Sequence, residues 1–105
     1  MGPMALYLDE LWLEWSDADT ARRVLSTFSS IPSGTFPFPE GVRLVAGPWL
    51  SNEEPKIIVI LDIRDHATTF PAFGLAIVHK LIARRRLTPI VEWSAVQDLL
   101  GTLEK

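Results

Sequence analysis

Hydrophobic positions along the chain come in short groups whose period changes from group to group. Residues 4–15, MALYLDELWLEW, are rich in leucine and aromatic residues and lack Gly and Pro, which predicts a first strand. Ser16 or Asp17 then offers an N-cap, and Asp19 suits the positive end of a helix. Ala18, Ala21, Val24, Leu25 and Phe28 recur at helical spacing with Asp19, Arg22, Arg23 and Ser26 opposite, so a helix runs to about residue 30. Residues 32–41, PSGTFPFPEG, hold three prolines and two glycines and read as a loop, whose two phenylalanines tie it to the protein. Residues 42–50, VRLVAGPWL, read as a second strand with a bulge or an edge position at Gly47-Pro48, because proline cannot donate to a ladder. SNEEP is a hairpin-length connection to a third strand at 56–64. Residues 68–86, TTFPAFGLAIVHKLIARRR, read as one helix with Thr69 as cap, Pro71 in the first turn and Arg84 to Arg86 at its end. LTPIVEW, 87–93, reads as a short fourth strand, and Pro89 places it at an edge. From Ser94 a closing helix follows, with a Ser94–Gln97 capping box and an apolar stripe of Val96, Leu99, Leu100 and Leu103.

This order, β-α-β-β-α-β-α, predicts an α+β chain. Its natural form is a ferredoxin-like antiparallel sheet with two helices on one face and an extra C-terminal helix. Residues 4–105 are expected to form a single domain, and Met1-Gly2-Pro3 an expression scar or a disordered start.

The strands are apolar on both sides. In the third, Ile57, Val59, Leu61 and Ile63 point one way, while Ile58 and Ile60 point the other with Asp62 and Arg64 beyond them. In the first, Tyr7, Leu11, Leu13 and Trp15 share one face, and Leu6, Leu8, Glu10, Trp12 and Glu14 share the other. An antiparallel sheet with one wet face alternates cleanly, and these strands do not. A side chain such as Ile58 forgoes about 1.5–3 kcal/mol if left in water. A cover is therefore expected, either the C-terminal helix or a second copy of the chain meeting Leu6, Leu8, Ile58 and Ile60.

Composition narrows the class. The 105 residues are 48% hydrophobic and 22% charged, an ordinary globular balance. Cysteine is absent, which excludes a disulfide scaffold, a thiol nucleophile and thiolate zinc sites, and fits a cytoplasmic protein. A net charge of −3 gives no footprint for nucleic acid. No apolar run approaches the roughly 18 residues of a membrane span, and no signal-peptide pattern is present. No glycine-rich phosphate loop or other fingerprint points to flavin, nicotinamide or metal, so no cofactor is expected.

Three short stretches carry a resemblance: Gly47-Pro48-Trp49 before the hairpin, Asp62 and Asp65 at the acidic end of the third strand, and Thr88-Pro89-Ile90 in the fourth. They and the layout resemble the dimeric α/β-barrel superfamily, and within it a small family of unknown function. The resemblance covers about half the chain. It implies ferredoxin-like protomers that face their sheets together. The superfamily includes cofactor-free monooxygenases, lactone isomerases, haem enzymes and effector-binding domains of regulators, so the resemblance implies a fold and a homodimer without fixing a reaction.

Each candidate for chemistry has a plainer alternative. Asp62 and Arg64 share a strand face and would make the polar end of an apolar cavity, Asp62 as acceptor or base and Arg64 holding an anion; otherwise they are an ion pair. His66 would act as a base or haem ligand, or stand in solvent. His79 falls opposite Phe70, Phe73, Ile77 and Leu81, outside the packed layer, and two histidines make no metal signature. Glu10, Trp12 and Glu14 would hold a sugar, or mark a wet face. Trp12, Trp49 and Trp93 would line a ligand pocket; otherwise Trp49 and Trp93 plug the barrel ends or belong to the core. Arg84 to Arg86 would attract phosphate, or answer a helix dipole. The expected function is a homodimeric small-molecule-binding protein or enzyme; the alternative is a non-catalytic interaction or effector-binding module.

Overall fold

The computed structural model describes residues 5–104; the start read as a scar, residues 1–3, lies outside them. Its strands are β1 (Leu6–Leu13), β2 (Val42–Leu50), β3 (Lys56–Ile63) and β4 (Ile82–Pro89). Its helices are α1 (Ala18–Phe28), α2 (Phe70–Val78) and α3 (Ser94–Leu103). The strands form one antiparallel sheet in the order β2-β3-β1-β4, compatible with a ferredoxin-like fold. Both expected edge strands, β2 and β4, stand at the edges.

Burial follows the alternation. Ile57, Val59, Leu61 and Ile63 of β3 meet Leu11 and Leu13 of β1, Ile82 of β4, Val24 and Phe28 of α1, and Ile31 in one buried cluster. Asp17 starts α1, its carboxylate accepting from the Thr20 backbone N–H at 2.8 Å. The proline-rich loop lies against the core, with Phe36 stacked on Phe28 and tilted on Phe38. The ladder between β2 and β3 slips on either side of Ala46, as the Gly47-Pro48 pair predicts.

The second half of the chain departs from the periodicity. The helix expected over 68–86 is a turn of 3-10 helix, His66–Thr69, followed by the nine residues of α2. Asp65, not Thr69, supplies the side-chain cap, to the Ala67 N–H. Lys80 takes a left-handed φ of 57° and the N–H groups of His79, Lys80 and Leu81 turn back onto Leu75, Ile77 and Ala76, which ends the helix. Arg84, Arg85 and Arg86 therefore lie within β4 and not at a helix end, and 90–93 is a connection, not strand. β1 stops at Leu13, where its ladder with β4 shifts, leaving Trp15 exposed. The Ser94–Gln97 box does not form: Trp93 takes the N-cap position of α3, with no side-chain cap.

α3 buries none of its side chains. The radius of gyration is 16.1 Å, against about 13 Å for a compact chain of this length, and the molecule measures 59 × 31 × 23 Å.

Candidate functional site

On the helix side of the sheet lies a cavity of about 280 Å³. Its floor is the core face of β1 and β3, its walls are Phe28, Phe36 and Phe38 on one side and Phe73 and Ala76 of α2 on the other, and His79 stands at the exposed rim. The lining is almost wholly apolar. Its buried polar residues are Asp9 and Thr69, and Thr27, Ser30 and His79 are the other polar residues that line it.

Asp9 has the parity of Tyr7 and Leu11, so β1 delivers it to the core with no exposure. Such a carboxylate needs a buried cation. Arg85 supplies it from β4, whose alternation sends Arg85 inward and Arg84 and Arg86 outward. The Arg85 Nε and Nη2 donate to the two Asp9 oxygens at 2.9 and 3.1 Å, and Nη1 donates to Thr69 Oγ1 at 3.0 Å. Thr69 Oγ1 in turn donates to the His66 carbonyl at 2.8 Å. The guanidinium lies 3.3 Å from the centre of the Phe73 ring. Burial raises the Asp9 carboxyl above its ordinary range, and Arg85 offsets this only in part.

The opposite, open face of the sheet carries the residues singled out from sequence. Register puts Leu8 beside Ile60, Glu10 beside Ile58 and Leu6 beside Asp62, so Leu6, Leu8, Ile58 and Ile60 form one half-buried apolar centre. Asp62 bridges Arg43 at 3.2 Å, not Arg64, and accepts from the Ala5 N–H. Arg64 and His66 are exposed beyond the strand, with the His66 ring 6.3 Å from Tyr7. Trp49 is exposed on β2, its ring against Gly47.

Trp12 stands among charges at the hairpin end. The Arg84 guanidinium lies 3.8 Å and the Lys56 ammonium 4.8 Å from its ring centre, and its indole N–H donates to Glu54. Lys56 bridges Glu10 at 2.7 Å and Glu54 at 3.3 Å. The Glu10 hydrogen bond, then that of Glu54, raises the Lys56 ammonium above its ordinary range, while the Trp12 hydrogen bond, then that of Lys56, lowers Glu54.

The fold thus brings together the expected apolar contact residues, but keeps Asp62, Arg64, His66, Trp12 and Trp49 away from the cavity. His79, expected outside the packed layer, reaches the rim because α2 ends on it. Among the described residues no cluster of three or more His, Asp or Glu is placed to hold a metal ion, and no helix is long and apolar enough to cross a membrane. Comparison with protein-family models, curated proteins and solved structures gives no match for this chain.

Proposed function

We propose that the chain is a small-molecule-binding protein, a homodimer whose ligand enters the helix-side cavity. The observation that carries this reading is the cavity itself: apolar walls converging on one buried, fully hydrogen-bonded polar cluster. Binding pockets have this composition. At 280 Å³ it is nearly twice the roughly 150 Å³ that accepts benzene. It suits a fragment-sized, largely apolar molecule with one hydroxyl or carbonyl for the end lined by Asp9 and Thr69. Binding is favoured over catalysis because both Asp9 oxygens already accept from Arg85, which leaves no idle base.

A ligand-observed NMR screen with small aromatic alcohols and ketones tests this. Wild type is expected to bind, Ala76→Phe to lose binding by filling the cavity, and Asp62→Asn and Arg64→Gln to bind as wild type. Binding that survives Ala76→Phe but fails in the Asp62 and Arg64 variants moves the site to the open face. No binding by a folded wild type favours the second reading, an interaction module, which the exposed apolar stripe of α3 supports.

A further inference from the structure

We infer that the C-terminal segment is an exchanged arm, α3 of each copy lying across the open sheet face of the other. This rests on the homodimer half of the function proposed above and is independent of the cavity. It replaces a sheet-on-sheet contact with a helix-on-sheet one.

Among the described residues α3 buries no side chain, and of its apolar stripe Val96 alone is half-buried. Val91, Trp93, Leu99, Leu100 and Leu103 are 50–77% exposed. These residues either lead into the helix or lie on its one apolar stripe. Residues 90–93 form a connection outside the sheet, and the molecule is 59 Å long. The open face has the complementary want: an apolar centre of Leu8, Ile58 and Ile60.

Dimensions agree. The ten residues of α3 make a rod about 15 Å long. The four strands span three spacings, about 14 Å from edge to edge. One helix therefore bridges the face from β2 to β4 without overhang.

Charge agrees as well. Segment 90–105 holds Glu92, Asp98 and Glu104 against Lys105. Glu92 precedes the apolar stripe and Glu104 follows it, while Asp98 falls opposite it and stays in water on docking. On the receiving face β4 presents Arg84 and Arg86. An acidic residue at an end of the arm thus meets a basic edge. Every chain has one arm and one face, so two copies related by a two-fold axis satisfy both. That equality selects a second copy over an unrelated helix.

The absence of cysteine makes a cross-linking test clean. Full-length Leu100→Cys and Ile60→Cys chains are mixed and treated with a short bis-maleimide, with Leu8→Cys as a second reporter on the face. A covalent two-chain product from the mixture, and none from Ile60→Cys or Leu8→Cys chains alone, is expected. A product from Ile60→Cys or Leu8→Cys alone means sheet on sheet and overturns the arm while keeping the dimer. Closure within one chain of an Ile60→Cys/Leu100→Cys double variant, with single-chain mass by light scattering, shows the arm on its own sheet and overturns the inference. In parallel, Leu99→Glu/Leu103→Glu is expected to halve the mass of the wild-type particle while each chain stays folded by circular dichroism. An unchanged two-chain mass in that variant also overturns it. Single-chain mass for wild type removes dimer and arm together and leaves ligand binding standing.

Discussion

A single guanidinium satisfies Asp9 in the least solvated part of the chain. Asp9→Ala is expected to cost about 3–5 kcal/mol, because it strands the Arg85 charge. The double change Asp9→Leu/Arg85→Met is expected to recover most of that, measured by urea unfolding. Equal loss in both would mean the charges are not what is being felt. The raised Asp9 carboxyl also fixes a pH dependence. It binds its proton more tightly folded than unfolded, so its contribution to stability is complete below its ordinary value near 3.8 and is lost as pH rises through the folded value. Relative to wild type, Asp9→Asn should therefore gain stability as pH climbs across that window. A difference constant with pH would contradict the assignment. Asp62, bridged to Arg43 at a wetter strand end, should cost only about 0–1 kcal/mol on change to Asn. Asp9 was legible in principle, since a carboxylate at core parity demands a cation. Its partner was hidden because the Arg84–Arg86 triplet follows an apolar stretch that reads as helix, where arginines serve as terminal cations.

The elements with one clear period were readable: α1 by its stripe and Asp17 cap, and β3 by strict alternation. The boundary between α2 and β4 was not. Leu81, Ile82 and Ala83 continue an apolar run without Gly or Pro, so only the left-handed Lys80 marks the stop. Placing glycine at that φ removes a steric cost, so Lys80→Gly is expected to stabilise by about 1 kcal/mol. A loss of stability would mean the Lys80 side chain contributes more than its backbone costs. The opposite holds at Gly47, whose φ is 93° and where an added Cβ would meet the Ile58 carbonyl oxygen at 2.9 Å. Gly47→Ala should lower the thermal midpoint by displacing β2 from β3. On the open face, Ile60→Asp is expected to disrupt assembly, whereas Lys56→Gln, at the hairpin end, should leave the particle mass unchanged. Equal effects on mass would relocate the interface.

At the scale of the molecule, the α+β class, the antiparallel sheet and its two apolar faces all followed from alternation. The cavity did not, because it depends on how far α2 stands from α1 across the sheet, and no local pattern encodes that spacing. Its walls, Phe28, Phe36, Phe38 and Phe73, each read as ordinary core. Phe28, Phe36 and Phe38 pack on one another, and only the gap they leave against Phe73 makes a site.

The projecting α3 also sets how the chain moves through water. An undocked arm adds drag without adding mass, so a lone chain, 16.1 Å in radius of gyration, will elute from a sizing column ahead of compact proteins of 11.8 kDa. The proposed exchange would reverse this: friction per chain would fall as arms are taken up. On dilution, sedimentation velocity should therefore show the frictional ratio rising as the mass drops. A dimer that simply parted between two smooth surfaces would shed mass at nearly constant shape.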